Sequence, residues 1–393
     1  MRPIRWKHIL HSIICMILLG QCSISKLTEA DFKEPELLWT FPAHIIQSIP
    51  AITPSGTLYV GVQYSLKDDS LYAIGSNGRL AWAHSVGFSI DWRVVSAPAV
   101  DSNNKLYIGG PDGYLYCIRS DGILEWRYQT NNKRPPEPIY STPAIGRDGA
   151  IIFGMLTGNL YCLNPDGTLR WQLTGYPCES TPAIGSDGTI YVGCAYELLA
   201  LTPSGEKLWE FMVDSLLEHS TPAIDEDGTI YICHHDGTVF AINPDGTEKW
   251  HYSSGIRSRS SPVITETGQI LFTCKDWTKS DGYIGYIGSL SRTGELLWKF
   301  DTPSEGWAPV IGKDGTIYIG AGNTMFALSD NGSELWRFEV DPWISNSPVL
   351  SSDGTLYFAA VSTLYAFQTS SGGLALSPWP KMYADYLNTS RSK

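Results

Sequence analysis

The chain has 393 residues, of which 17% are charged, and its 28 basic and 40 acidic side chains leave a formal charge of -12. With 43% hydrophobic residues, 38 Gly, 24 Pro, 21 Tyr and 14 Trp, it is neither a disordered tail nor a coiled coil nor a helical bundle, and it reads as a large all-β protein. The acidic field also argues against binding a nucleic-acid polyanion.

Residues 1–22 differ from the rest. Arg2, Arg5 and Lys7 precede a short apolar run from Ile9 to Leu19, well below the roughly 20 residues of a membrane-spanning helix and suited to the core of a secretory signal peptide. The stretch Leu19-Gly20-Gln21-Cys22 resembles a bacterial lipobox, in which Cys22 would be lipidated and begin the mature chain; Gln21 stands where that pattern has a small residue. The expected location is therefore outside the cytoplasm: periplasm, outer membrane or cell surface. The later cysteines, Cys117, Cys162, Cys178, Cys194, Cys233 and Cys274, show no C-x-x-C spacing. They read as small buried hydrophobes, neither metal ligands nor a disulfide framework.

From residue 37 onward the sequence repeats. Ser141-Thr142-Pro143-Ala144-Ile145 returns at 180–184 and at 220–224, with weaker copies starting at Ser48, Ser96, Ser260, Trp307 and Asn346. Each copy leads into a turn and an alternating run, as in Asp187-Gly188 followed by Thr189-Ile190-Tyr191-Val192. Asp-Gly between β-rich runs supplies the positive φ of a two-residue hairpin turn. A third run, a second turn such as Asn243-Pro244-Asp245-Gly246, and a strand carrying a Trp complete the unit. These tryptophans are Trp39, Trp82, Trp126, Trp171, Trp209, Trp250, Trp298 and Trp336, at intervals of 43, 44, 45, 38, 41, 48 and 38 residues. Four short antiparallel strands at that period predict a β-propeller of eight blades, because so small a sheet buries its faces only against its neighbours. Since Trp39 precedes the first Pro-Ala-Ile strand, residues Leu37 to Phe41 are expected to complete the last blade and close the ring. The divisions are 1–22 for the leader, 37–379 for one propeller and 380–393 for a C-terminal tail, and the stretch from Gly372, including Trp379-Pro380, is expected to pack over the seam.

The repeated Pro-Ala-Ile, Asp-Gly-Thr-Ile-Tyr, Leu-Tyr-Ala-Leu and Asp-Gly-x-x-x-Trp blocks resemble the pyrroloquinoline-quinone-like (PQQ-like) propeller repeats, with the non-catalytic BamB-like propeller lipoproteins among them. In the quinoprotein dehydrogenases of this group, the resemblance implies a quinone held over Ca²⁺ in the axial channel beneath two adjacent disulfide-bonded cysteines. Here no Cys-Cys pair occurs, and Ala241 to Trp250 and Ala200 to Trp209 span nine residues where the docking motif of those enzymes spans ten. No nucleophile elbow, zinc-protease helix or phosphate loop is present either. The expectation is a non-enzyme without cofactor or metal, whose eight tryptophans lock adjacent blades. The alternative is a small-molecule or quinone binder, in its strongest form a dehydrogenase. His234-His235-Asp236 aligns with hairpin turns such as Pro111-Asp112-Gly113. Adjacent strand residues face opposite ways, so the stretch reads as a solvated turn and not a metal site.

Antiparallel connectivity puts the stereotyped strand 1–2 and 3–4 turns on one face, and the strand 2–3 turns and blade crossovers on the other. Sequence varies only on the second face: 63–70, 83–95, 128–140, 251–259 and 275–285. Variable loops on a rigid ring are the usual place for recognition. The hydroxyl residues before each inner-strand Pro read as bonds between blades. One position earlier stand Gln47, Val95, Tyr140, Glu179, His219, Arg259, Gly306 and Ser345, a diversity that repetition does not require. Tyr140, Glu179, His219 and Arg259, with Arg134, Arg257, Trp277, Trp307 and Trp343, are therefore the candidate binding residues for protein partners of the envelope. The chain itself is expected to be monomeric.

Overall fold

The computed structural model describes residues 35–46, 48–63, 68–88, 96–130, 137–214, 216–217, 220–258, 260–276, 284–385 and 388–392. Its strands form eight antiparallel sheets arranged as successive blades. Blade 3 is representative: Ala144–Ile145, Ile151–Met155, Asn159–Leu163 and Leu169–Thr174 follow one another from the axis outward. Burial follows the same direction, with every residue of the first two strands buried and the fourth alternating exposed with half-buried positions. The Pro-Ala-Ile run is innermost because an edge strand tolerates a proline, which cannot donate to a ladder. Blade 8 is composite, as its first three strands lie between Val349 and Gln368 while Glu36–Pro42 pairs with Thr363–Gln368 as the fourth. The ring closes where the sequence placed it.

The tryptophans act between blades. Nε1 of Trp39, Trp82, Trp126, Trp171, Trp209, Trp250 and Trp298 donates to a carbonyl in the strand 3–4 turn of the next blade: Ser76, Ser120, Pro165, Pro203, Pro244, Arg292 and Asp330, at 2.8–3.1 Å. The indole lies flat on the glycine of that turn, where a Cβ would stand 2.5–2.8 Å from the ring at Gly78, Gly122, Gly167, Gly205, Gly246, Gly294 and Gly332. In every blade the ladder carries a bulge one residue before the Trp, and a bulge re-aims the side chain that follows it. The residue paired with each Trp is small: Ala73, Cys117, Cys162, Ala200, Ala241, Ser289, Ala327 or Ala366. That explains the free, buried Cys117 and Cys162 as alanine equivalents, and burial pushes both thiols up to about 12.

Two expectations need correction. The strand 1–2 loop has three residues, not two: Gly185 N donates to Thr189 O, Gly188 N donates back to Gly185 O, and Gly188 sits at φ 89°. Asp187 Oδ1 accepts from Thr189 N at 2.9 Å, so the aspartate builds an Asx turn while the glycine supplies the left-handed residue of a bulged loop. Cys178 and Cys194 are not free but joined, with Cα atoms 4.1 Å apart. The hydrogen bond from Gly193 N to Ser180 Oγ at 2.9 Å brings the crossover before blade 4 against the end of its second strand, and the two cysteines flank that contact.

Gly246 and Gly315 provide a matched test of the docking, since their φ values are 86° and 82° but only Gly246 lies under an indole. Alanine at Gly315 should cost the backbone term of about 1–2 kcal/mol, and Gly246→Ala should cost clearly more in chemical denaturation. Equal losses would show that the Trp209 contact contributes nothing.

Candidate functional site

The hydroxyl residues before each inner strand divide their work. Ser141 Oγ donates to Gly154 O and accepts from Gly154 N, closing its own blade. The next residue reaches the preceding blade, with Thr142 Oγ1 accepting from Ala97 N and Thr181 Oγ1 from Thr142 N. Across the seam Asn346 Nδ2 donates to Ser48 O at 2.9 Å. These side chains are buried and structural, which leaves recognition to the residues above them.

On the crossover face Tyr140 and Glu179 are half-buried and Arg257 is exposed, its carbonyl accepting from Lys275 N at 2.7 Å. Trp307 is 42% exposed and Trp343 57%. Trp307 Nε1 donates to Ile344 O at 2.9 Å, so the crossovers entering blades 7 and 8 are tied together with the neighbouring Trp343 outward. Arg134, His219, Arg259 and Trp277 lie outside the described residues. The same face shows three further exposed apolar side chains: Leu156 and Tyr196 in strand 2–3 turns, and Met212 at the end of a fourth strand. All three lie outside the long variable loops that stand out in the sequence.

The solvated-turn reading of 234–237 holds only in part. Asp236 Oδ1 accepts from Thr238 N at 2.8 Å, as turn chemistry requires. His234, however, is fully buried, with Nδ1 2.8 Å from Asp236 Oδ1 and Nε2 3.9 Å from Asp214 Oδ1.

The axis holds the largest departure from expectation. The tail packs against the seam blades, where Met382 and Tyr383 join a cluster with Ile46, Ile49 and Val349, and it also runs across the inner strands and occupies the axis at their turn-side ends. Inner-strand amides at Ile145, Ile184, Ile264 and Ile311 donate to the tail carbonyls of Thr389, Ser390, Trp379 and Pro380. Asn388 Nδ2 donates to Ile49 O and Pro98 O, so the tail reaches blades 1, 2, 3, 4, 6 and 7. These bonds satisfy backbone donors that an inner edge would otherwise leave open. Lys381 is fully buried there and donates through Nζ to Met382 O at 2.8 Å, Asp385 O at 3.0 Å and Asn388 Oδ1 at 2.6 Å. Burial pushes its ammonium down to about 7, with Asp385 partly opposing. Polar tail residues carry no hydrophobic period, which is why the sequence did not reveal this path.

A family model described as outer membrane protein assembly factor BamB matches residues 26–177, 156–276 and 284–376. Among solved structures, BamB from Moraxella catarrhalis is 15% identical with a TM-score of 0.65, covering 85% of this chain and 100% of its own. The Dos1 propeller (11% identical, TM-score 0.67, covering 87% and 97%) and the C-terminal WD40 domain of Sif2 (13%, 0.67, 86% and 99%) are similar as well. Likeness at these identities concerns the fold. No curated protein matches the chain.

The buried lysine gives a pH test. Its folded pKa lies below the ordinary 10.5, so between those values the unfolded chain holds a proton that the folded chain has released, and stability rises with pH by at most about 1.4 kcal/mol per unit. Below about 7 the full penalty of burying the charge is present. Lys381→Met should flatten the rise between pH 7 and pH 9.5 in urea denaturation. Parallel profiles for the two proteins would mean that Lys381 keeps its proton in the folded chain, held by its three oxygen acceptors.

Proposed function

The chain belongs to the family of the outer membrane protein assembly factor BamB, and from that membership we propose that it is an exported, non-catalytic propeller that holds protein partners at the cell envelope. The observation that carries the reading is the division between the two faces. One face is built from near-identical turns locked by indoles, and its axis is filled by the chain's own tail. The other displays non-repeating loops with Trp307, Trp343, Tyr196 and Met212 exposed. Large apolar side chains exposed beside polar groups suit partner binding. The Cys178–Cys194 bond fits an oxidising compartment, in line with the leader-like residues 1–22, where Cys22 would provide the lipid anchor. A quinone or other small ligand in the axial channel is the weaker reading, because the tail occupies the space at one end.

Tagged mature chain recovered from its native envelope should bring down a stoichiometric protein. Trp343→Ala should reduce that recovery by about tenfold, the scale of a hot-spot residue, with an unchanged melting temperature. Full recovery by the variant would remove Trp343 from the interface, and a stoichiometric small molecule with no protein would overturn the scaffold reading. Peptide mapping without reductant should recover residues 178 and 194 in one cross-linked species.

A further inference from the structure

We propose that Asp214 and His234 form a binding site for a divalent transition cation of the zinc class, with Asp236 as the carboxylate that orients the imidazole. The site joins two blades on the crossover face. Asp214 leaves the fourth strand of blade 4, and His234 opens the strand 2–3 turn of blade 5, directly after Ile230–Cys233. Groups from all three side chains lie within 4.8 Å of one another.

The histidine is the informative residue. It is fully buried, and neither ring nitrogen makes a well-formed hydrogen bond, although buried polar atoms nearly always do. Turn geometry does not call for it. In blade 2 the same four-residue turn, with the same backbone bonds, starts at Gly110, and in blade 3 the corresponding turn starts at Met155. A glycine or a methionine therefore serves at this position, and the imidazole adds something the hairpin does not use. Its ring packs edge-on against Phe240 at 6.0 Å, which holds the plane.

The two ring nitrogens then take different roles. Asp236 Oδ1 lies 2.8 Å from Nδ1, near enough to favour the proton on that nitrogen and leave the lone pair on Nε2, the arrangement by which a carboxylate orients a metal-ligating histidine. Nε2 points toward Asp214, whose carboxylate oxygen is 3.9 Å away. A cation bonded to both at about 2.0–2.2 Å spans that gap with a wide ligand angle. Imidazole with carboxylate selects borderline transition cations over Ca²⁺ or Mg²⁺, which take oxygen ligands. The Asp214 side chain is 92% exposed, so the ion meets this carboxylate first, with water completing the coordination on that side, and a small shift of the covering side chains admits it to the buried Nε2. The adjacent His235 does not belong to the group. The partner ligand comes instead from the preceding blade, twenty residues earlier by number.

Isothermal titration of the metal-free mature chain with ZnCl₂ tests the assignment. One equivalent should bind with micromolar affinity and raise the melting temperature, and millimolar Mg²⁺ should not displace it. Asp214→Asn alters an exposed side chain and should leave the metal-free melting temperature unchanged while weakening binding at least tenfold. Asp236→Asn should weaken it by about tenfold or more, the usual effect of losing an orienting carboxylate. Less than half an equivalent bound by the wild-type chain, displacement by Mg²⁺, or a loss under threefold in Asp214→Asn would overturn the proposal.

Discussion

The structure depends on an indole of one blade lying on the outer turn of the next. A four-stranded sheet of this size buries too little apolar surface to be stable alone, so each blade is stable only at the angle its neighbours impose. The docking sets that angle through three local conditions. A bulge aims the Trp, a small residue opposite clears its path, and a turn glycine lets the ring lie against backbone. Six of the eight indoles also tilt against a tyrosine of their own second strand, as Trp209 does on Tyr191 and Trp250 on Tyr231, with centroids 5.8 and 5.7 Å apart, while Ile152 and Leu271 hold that position beside Trp171 and Trp298. Asp-Gly-x-x-x-Trp is thus the compressed statement of one contact made repeatedly around a ring.

The contact has one natural interruption. Trp336 faces blade 8, whose third and fourth strands come from opposite ends of the described chain and share no connecting turn. Other bonds hold the seam there. Asn346 reaches Ser48, Ser345 Oγ donates to Ile46 O, and the amides of Ala43 and Ile46 donate to Ser362 and Val361. The tail adds a second ring of bonds at the axis, fastening inner strands that the outer indoles do not touch. A closed ring held at its perimeter and at its axis leaves only the crossover face free to vary.

Whatever repeats was legible in the sequence. The blade count, the order of strands, the closing strand at residues 36–42 and the packing role of the tryptophans all follow from spacing, because a repeated contact leaves a repeated residue. Tyr140, Glu179, Arg257, Trp307 and Trp343 lie in blade crossovers, which connectivity alone assigns to the face opposite the stereotyped turns. What occurs once was not legible. Nothing in the sequence marks Lys381 or Asn388, although the axis uses their hydrogen-bonding groups. Cys178 and Cys194 carried one usable signal: Ser180 and Gly193 are thirteen positions apart, the same spacing as Ser141 and Gly154, which sets the residues beside them against each other. Asp214 and His234 belong to different blades, and no periodicity within a blade relates them.

Those single occurrences share a location. On the turn face seven of the eight junctions use the same indole, so a change there disturbs a contact on which the ring depends. On the crossover face, among the described residues, individual junctions carry individual ties beside the bond that blades such as 3 and 4 share, accepted by the serine before the inner strand. Cys178–Cys194 fastens the crossover into blade 4, Asp214 and His234 meet between blades 4 and 5, and Trp307 binds the carbonyl of Ile344 between the crossovers entering blades 7 and 8. A tie that fixes one loop without constraining the others allows each loop to take its own shape, while recognition still requires that shape to be held. The non-repeating contacts and the non-repeating exposed side chains occur together because the first make the second usable: a tied crossover presents Trp343 or Glu179 in one position, without the entropy cost of ordering it when a partner arrives.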